Sequence, residues 1–552
     1  MSLSDRDILE LNELCGAVVD GTLTDAQRER LEAWLRRSEE ARRYYVRALG
    51  LSASLYHYAS EMHAELPERV PAPGESRFFR AWSWWVGAVA TAACLGLGLW
   101  LVVRHAPQTP ATSRPGEEFV ARLSGLKDST WQPTARAPRA GDLLRRGQRL
   151  DLARGFAEVT FDSGAQVVLE GPATVELISP WEVALRQGAL KVHVPPEATG
   201  FRVTSEVVEV TDLGTDFSVI ADAAGHADVL VLKGEVEATP LGGGVQESVL
   251  LRENEARRFA RSGIFPVEDF EEKFARLARA VPLERFDPPV HYVRWSFDEP
   301  DGNTAAADSF GPAQTAFNAR LQFAQAHTAA PRVEGVFNRA LDFDGQLYVK
   351  AAYPGLSGKS PRTVMFWVKI PPDAQLSSAY AMVAWWAENP RFGSRPVHIG
   401  WNRNPSEGPV GVLRTDYLGG YALGATPLRD GRWHHIAVVF VPDPDQPRLV
   451  EVKQYVDGRL EGEGRPSPPG SQFSTEPNPT VADTLWLGCR LGDTGPRQDR
   501  FRGQMDELCV ADRALSPRQI VQIMRHNRPQ TTALAKVRVP RQHGHSASHI
   551  LR

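Results

Sequence analysis

Side chains that could carry out chemistry are few in this sequence and widely separated. His434 and His435 are adjacent, and adjacent residues of a strand point to opposite faces, so the pair cannot chelate one ion together. No phosphate-binding loop, zincin helix, nucleophile elbow or dinucleotide fingerprint is present. The sequence therefore predicts a protein that is not an enzyme and has no catalytic residues. A hydrolase with two overlooked carboxylates remains an open alternative.

Four aromatic residues are candidates for binding a ligand. Trp385, Trp386, Trp401 and Tyr417 lie in the least regular part of the C-terminal half. Exposed aromatic rings in loops can stack on sugar rings, whereas buried ones fill a core. We expect a glycan site if the rings are exposed and a place in the core if they are buried, and the sequence leaves both alternatives open.

The four cysteines predict no metal site, because they form no CxxC or CxxH pair. Cys489 and Cys509 fall in predicted strands of one domain. They could form a disulfide outside the cytoplasm or remain two separate buried thiols. The net charge of -4 gives no reason to expect a nucleic acid partner.

One apolar segment determines how all these residues are placed. Residues 81–103 carry no charged side chain, and a helix of this length reaches about 35 Å, enough to cross a bilayer. Tryptophans lie near both ends, where the headgroup layer favours them. The segment predicts a single transmembrane helix. Basic residues are balanced on its two sides, so they do not decide its orientation.

Residues 1–66 have helical periodicity. A capping box at residues 24–27 opens a helix with Trp34 and Leu35 on its apolar face, and the next helix carries Tyr45 and Leu49. Three short helices bury little surface alone, so this segment is expected to be marginally stable unless it binds something.

The run DGTLTDAQRERLEAWLRRSEEARRYYVRALGLSASL resembles the N-terminal segment of bacterial FecR-type transmembrane regulators and anti-sigma proteins. The resemblance implies a cytoplasmic N-terminus in the inner (cytoplasmic) membrane. It also implies a sigma factor of the extracytoplasmic-function class as partner. The candidate contacts are Trp34, Leu35, Tyr45 and Leu49. Only Cys15 is available for a His-Cys-Cys zinc site, so a zinc-binding version is excluded. The alternative is a helical stub that only stabilises the anchor.

After the span, prolines predict an irregular linker over residues 104–141. Alternating apolar and polar residues then predict an all-β domain over residues 143–262. Its strings GFAEVTFDSGAQVVLEGPATVEL, LRQGALKVHVP and FRVTSEVVEVTDLGTDFSV resemble the FecR domain, which is extracytoplasmic in that family. A connector helix is predicted over residues 266–282 from its i, i+4, i+7 spacing.

Residues 291–525 predict a two-sheet β-sandwich. Strings such as RTVMFWVKI, DGRWHHIAVVFV and FRGQMDELCVADRALSPRQIVQIM resemble the laminin-G-like, concanavalin A-like jelly roll. The resemblance implies a glycan or protein ligand and allows a Ca²⁺ ion, for which Asp308, Asp506 and Glu507 are the oxygen-ligand candidates. No other cofactor is expected. Residues 526–552 predict a disordered basic tail.

The expected fold is therefore a multidomain membrane protein: a small all-α N-terminal segment, one transmembrane helix, an all-β FecR-like domain and a jelly roll. The expected function is a single-pass regulator that senses an external ligand and binds a sigma factor. The alternative is an envelope-anchored carbohydrate- or protein-binding adhesion protein without a regulatory role.

Overall fold

The structure is a computed structural model of the whole chain. It describes residues 27, 28, 30, 31 and 34 of the N-terminal part, and residues 118–528 except 134–136, 243–246, 268–269, 279–281, 287, 301, 311–316, 324–331, 352, 354–360, 377–379, 388–394, 418–419, 446–449, 464–484 and 493–494.

The chain divides into two compact units, Met1–Pro107 and Gln108–Arg552. The described residues of the first unit are helical, and Leu31 among them is buried. The predicted span over residues 81–103 and most of residues 1–66 lie outside the description, as does the tail beyond residue 528. In the described part of the chain, no helix is both long and apolar enough to cross a membrane.

The second unit contains two β domains and two helices. The first β domain covers residues 118–286, and the second covers residues 288–528. The strands of the first β domain are β1 (Phe119–Trp131), β2 (Leu143–Arg145), β3 (Arg149–Phe161), β4 (Gln166–Ser179), β5 (Glu182–His193), β6 (Arg202–Thr204), β7 (Val208–Asp212), β8 (Asp216–Ala221), β9 (Ala227–Lys233), β10 (Glu235–Pro240), β11 (Val249–Arg252), β12 (Ala256–Ala260), β13 (Gly263–Pro266) and β14 (Glu284–Arg285).

These strands form one strongly branched sheet. Its main path runs β11-β10-β7-β6-β5-β4-β3-β1-β14, while β8, β9, β12 and β13 branch from β5. Alternate residues such as Val167, Leu169, Val175 and Leu177 of β4 are buried. The period of two seen in the sequence therefore supplies the apolar side chains of the core.

The predicted linker over residues 104–141 is wrong for β1. This strand, Phe119–Trp131, pairs with β3 along most of its length, and Val120 and Leu123 belong to the core of the domain. The prolines that suggested an irregular chain stand before and after β1, and none lies inside it. The domain is thus larger than the predicted residues 143–262.

Helix α1 (Phe270–Ala278) lies within the predicted residues 266–282 and packs on the first β domain. Phe274 and Leu277 contact Leu230, and Lys273 pairs with Asp228. The chain then adds β14 beside β1. Helix α1 therefore belongs to the first β domain.

The second β domain is a sandwich of two large antiparallel sheets with a small two-stranded addition. Its strands are β15 (Tyr292–Trp295), β16 (Thr304–Ala305), β17 (Asp308–Phe310), β18 (Ala319–Phe323), β19 (Arg332–Glu334), β20 (Arg339–Asp344), β21 (Leu347–Ala351), β22 (Arg362–Lys369), β23 (Ala381–Ala387), β24 (Arg395–Trp401), β25 (Val412–Tyr417), β26 (Gly420–Pro427), β27 (Trp433–Pro442), β28 (Val450–Val456), β29 (Arg459–Glu463), β30 (Leu485–Leu487), β31 (Cys489–Gly492), β32 (Gly495–Arg500) and β33 (Arg502–Ala511).

One sheet follows the order β17-β15-β33-β22-β27-β28-β29, with β20 and β19 beside β33, and we call it the inner sheet. The other follows β16-β18-β21-β30-β23-β24-β25-β26. Phe366 and Val368 of β22 are fully buried between the sheets, whereas Trp367 is half-buried on the other face. The structure thus confirms the predicted all-β sandwich.

The inner sheet is covered on both faces. Ile436, Val438 and Phe440 of β27 point into the sandwich core, while Ala437 and Val439 between them belong to a second cluster on the outer face. Buried side chains on both faces require a cover on both sides. The second sheet of the sandwich covers one face of the inner sheet. Helix α2 and the first β domain cover the other, outer face.

Helix α2 (Pro517–His526) starts as the sequence predicted. Ser516 is its N-cap, Pro517 occupies the first turn and Gln519 completes a capping box. Ile520 and Ile523 face the outer cluster of the inner sheet. The helix therefore packs residues 517–526 against the sandwich.

Candidate functional site

The two β domains meet on the outer face of the inner sheet. An apolar cluster there joins Val439 and Tyr455 of the second domain to Phe119 of the first, and Leu143 and Trp181 of the first domain pack against it. Burial of apolar surface favours the joined state. The first domain thereby covers the part of the sheet that α2 leaves open.

Lys453 of β28 lies buried in the centre of this interface between the two β domains, which we call the joint. Its Nζ is 2.5 Å from Asp162 Oδ2 and 2.8 Å from Glu451 Oε1. It also donates a hydrogen bond of 2.5 Å to the carbonyl of Phe119. An ammonium group has three donors, so these three acceptors satisfy it. Two of them belong to the first β domain, and the lysine therefore connects the two domains directly.

The charge state of this lysine follows from its surroundings. Burial alone lowers the pKa of Lys453, but the charges of Asp162 and Glu451 outweigh burial and raise the pKa above its ordinary value. Lys453 therefore stays charged at physiological pH. Burial raises the pKa of the neighbouring Tyr455, so its hydroxyl stays protonated and donates to the carbonyl of Asp162 over 3.1 Å.

The joint has a polar rim. Arg145 of the first domain pairs with Asp443 at 2.8 Å and with Asp445 at 2.9 Å. On the other side, Arg459 of the second domain lies 4.6 Å from the centre of the Trp181 ring. These contacts are more exposed than Lys453 and contribute less each, because solvent screens them.

Beside the joint, a cleft of about 1110 Å³ opens between the first β domain, α2 and the loop before it. Ser124 and Thr160 of the first domain and Gln519 and Gln522 of α2 are among the residues that line it. Its walls therefore come from both β domains, and its shape depends on the joint.

Every carboxylate in the cleft lining is already paired with a cation of the lining. The pairs are Arg285 with Glu158, Arg525 with Glu197, and His193 with Asp216. The hydrogen bond between His193 and Asp216 is 2.6 Å long. It raises the pKa of His193 and lowers the pKa of Asp216. No acidic group of the lining is left to bind a cationic ligand.

The three calcium candidates each lie against other groups of the protein, and a Ca²⁺ ion there stays a prediction. Asp506 Oδ2 accepts from the backbone amides of residues 336–337 at 2.9 and 3.1 Å. Glu507 binds Arg294 at 2.6 Å, and Asp308 lies 3.8 Å from the same guanidinium. Within the described ranges, no group of three or more His, Cys, Asp or Glu is arranged to hold a metal ion.

Asp506 is fully buried, and burial raises its pKa to about 7. Its contacts tie a turn of the backbone to β33. The structure therefore gives Asp506 and Glu507 roles in the fold.

Two of the four aromatic candidates are buried. Trp385 and Trp401 are each 1% exposed and belong to the sandwich core. Neither ring has a face open to a sugar. The alternative of exposed rings is therefore wrong for these two tryptophans, and the alternative of a place in the core is confirmed. The side chains of Trp386 and Tyr417 lie outside the description, and their role stays a prediction.

The adjacent histidines have separate surroundings, as expected for a strand. His434 lies between Asp457 at 2.8 Å and Asp430 at 3.2 Å. The hydrogen bond to Asp457, assisted by Asp430, raises the pKa of His434. His435 is buried against Trp367, and burial lowers its pKa to about 4. The two rings do not share a ligand position.

Cys489 and Cys509 are both buried, and no disulfide joins them. Of the two alternatives for this pair, the separate thiols are therefore confirmed. Burial raises the pKa of Cys509 to about 12, which makes its thiol unreactive.

Of the candidate sigma-factor contacts, Trp34 is described and is half-buried in a helical segment. Leu35, Tyr45 and Leu49 lie outside the description. Their contact with a sigma factor stays a prediction.

Comparison with protein families gives two matches. The FecR protein family matches residues 151–237, and the Laminin_G_3 model of the concanavalin A-like lectin/glucanase superfamily matches residues 343–521. The chain therefore combines a FecR domain with a concanavalin A-like domain, which confirms the resemblance of the sequence motifs. The first match lies in the first β domain and the second in the sandwich.

Solved structures with similarity to the chain include domain 4 of AbnA, an extracellular GH43 arabinanase from Geobacillus stearothermophilus. It is 19% identical with a TM-score of 0.30, and the match covers 43% of this chain and 99% of that one. A putative anti-sigma factor from Parabacteroides distasonis is 21% identical with a TM-score of 0.21, and the match covers 24% of this chain and 64% of that one. No curated protein matches the chain.

Sequence reasoning missed the joint between the domains. Lys453 stands in the string VEVKQYV, where it reads as one polar residue on the solvent side of a strand. A signal was nevertheless present, because the string IAVVFV of β27 is apolar at consecutive positions. Such a run is typical of a strand that is covered on both faces.

Replacing Lys453 tests the joint. We expect Lys453→Met to lower the free energy of unfolding by about 3–5 kcal/mol, because it leaves Asp162 and Glu451 buried without their partner. Chemical denaturation of the full chain, followed by tryptophan fluorescence, measures the change. As a matched control, Lys350→Met on the opposite sheet removes a lysine that lies 4.6 Å from the Trp486 ring centre, and should cost less than about 1 kcal/mol. Equal losses in the two variants would contradict the role of Lys453.

The pair of carboxylates around His434 predicts a pH dependence. Because the folded-state pKa is raised, the stabilisation is fully present below the unfolded value of about 6.5 and is lost as the pH rises through the folded pKa. We expect His434→Gln to be more destabilising at about pH 5.5 than at about pH 9, by roughly 1 kcal/mol. Denaturation midpoints at the two pH values measure this. In an Asp430→Asn/Asp457→Asn background the difference should disappear, and its persistence there would refute the assignment.

Proposed function

We propose that the chain is a single-pass regulator of the FecR type. In this scheme residues 81–103 cross the cytoplasmic membrane with the N-terminus inside the cell, and the two β domains lie outside. The N-terminal helices bind a sigma factor, and the β domains sense a ligand. The FecR domain and the helical residues near Trp34 support this assignment.

The observation that carries the proposal is the FecR domain, and the buried joint at Lys453 connects it to the sandwich. In a regulator, the ligand must bind two states of the protein with different affinity. A charged group buried between two domains is costly to separate from its partners. The two β domains therefore move as one body, and a ligand on either of them acts on both.

The route of the signal follows from this coupling. Residues 104–117 join the predicted span directly to β1, and β1 contributes Phe119 to the joint. A rotation or pairing of the body outside the membrane would thus be passed to the span through the chain that enters β1. The regulator needs no catalytic step, and we propose a protein without enzymatic activity.

A binding or adhesion protein without a regulatory role is the second candidate. It uses the same sandwich and the same anchor, and it differs only at the N-terminal helices. Sigma-factor capture therefore separates the two candidates.

Capture by the full chain in detergent is the test. We expect the chain to retain an extracytoplasmic-function sigma factor from the same genome. Trp34→Ala/Tyr45→Ala should weaken capture at least tenfold, because aromatic residues dominate such interfaces. Arg432→Gln, on an exposed side chain of the second β domain, should capture like the parent. Failure of the parent chain to capture any of these sigma factors, with unchanged transcription in a deletion strain, would favour the adhesion protein.

A further inference from the structure

The cleft beside the joint has more positive charge than its own carboxylates can balance. After the three internal pairs, four cations of the lining remain: Arg122, Lys233, Arg513 and Arg518. Arg513 has one carboxylate neighbour outside the lining, Asp512 at 3.3 Å. In the described part of the chain, Lys233 and Arg518 make no ion pair. The cleft therefore presents a surplus of cations to whatever enters it.

These cations come from both domains, and two of them are neighbours across the domain boundary. Arg122 of β1 donates to the carbonyl of Ala514 over 3.2 Å, which places it beside Arg513. Burial lowers the pKa of Arg122. The charge of the nearby Asp162 opposes this shift, and the smaller effect of Arg513 acts in the same direction as burial. Arg518 of α2 likewise opposes protonation of His193 across the cleft. Each of these repulsions is relieved if an anionic group sits between the cations.

The other lining residues indicate what carries the negative charge. Hydroxyl and amide groups of Ser124, Thr160 and Gln166 face the cleft and can bind hydroxyl groups. Phe286 also lines the cleft, and it is 56% exposed, so its ring is open to stacking. A ring with hydroxyl groups on its edges and an apolar face matches both features.

The size of the cleft sets the length of the ligand. Its volume of about 1110 Å³ exceeds the roughly 300–1,000 Å³ typical of sites for one small molecule. The cleft therefore has room for several linked rings. A single free anion would leave most of the lining uncovered.

From these features we propose that the cleft binds an acidic oligosaccharide whose carboxylates pair with the surplus cations. The sugar rings lie along the hydroxyl and amide groups and stack on Phe286. This inference rests on the proposed function, in which such a ligand is the external signal. It also places the ligand between the FecR domain and the sandwich, away from the aromatic candidates at Trp385 and Trp401.

The test is calorimetric binding to the full chain in detergent, with a hexamer of galacturonic acid as the probe and maltohexaose as the neutral probe of equal length. We expect the acidic hexamer to bind at least tenfold more tightly than the neutral one. Its affinity should fall about tenfold or more between low salt and about 0.5 M salt, because salt screens the exposed charges.

A charge-matched pair of variants locates the site. Lys233→Gln/Arg518→Gln should weaken binding of the acidic hexamer at least tenfold. Arg261→Gln/Arg432→Gln removes two exposed cations elsewhere, one from each β domain, and should bind like the parent. All four side chains lie at the surface, so neither variant is expected to unfold the chain.

Equal affinity for the two hexamers, equal binding by the two variants, or no binding of the acidic hexamer would overturn the inference. Sigma-factor capture on the same preparation keeps the two proposals apart. Capture without oligosaccharide binding overturns only the ligand class. Oligosaccharide binding without capture overturns only the regulatory function.

Discussion

A single buried ammonium group holds the two β domains of this protein together. Lys453 reaches from the inner sheet of the sandwich to Asp162 and to the backbone of Phe119 in the first β domain, which contains the FecR match. Such a group is tolerated in a protein interior only when all its donors are satisfied and its charge is balanced. Glu451 belongs to the same strand as Lys453, but the other two acceptors come from the first β domain, so all three donors are satisfied within the protein only while the two domains stay together.

The joint also explains features that otherwise look unrelated. The inner sheet is apolar on both faces because one face packs into the sandwich and the other lies beneath the FecR domain and α2. The cleft opens where these same elements meet beside the joint, and its cations come from both sides. In the proposed scheme, a ligand in the cleft would contact both domains and act on both.

Local features of the fold could be predicted from the sequence where local chemistry decides them. The capping residue Ser516 fixed the start of α2, and the alternation of Phe366, Trp367 and Val368 gave the faces of β22. Strand β1 was missed, because the prolines on either side of it suggested an irregular chain. A proline shapes its own neighbourhood and the residue before it, and β1 begins beyond that range.

The candidate site was harder to predict, because its residues are far apart in the sequence. Asp162 and Lys453 belong to different domains, and the sequence around either residue does not indicate that the other is its partner. Exposure of the aromatic candidates was equally beyond reach, since burial of Trp385 depends on the opposite sheet, where Phe440 packs against its ring. The apolar run in β27 did indicate that both faces of this strand are buried. It did not indicate which elements of the chain bury the outer face.

The measurement that tests the central claim most directly is calorimetric unfolding of the full chain. If the FecR domain and the sandwich form one body, they unfold in a single transition whose calorimetric enthalpy equals the van't Hoff enthalpy. Two separate transitions, each with the enthalpy expected for one β domain alone, would contradict the account.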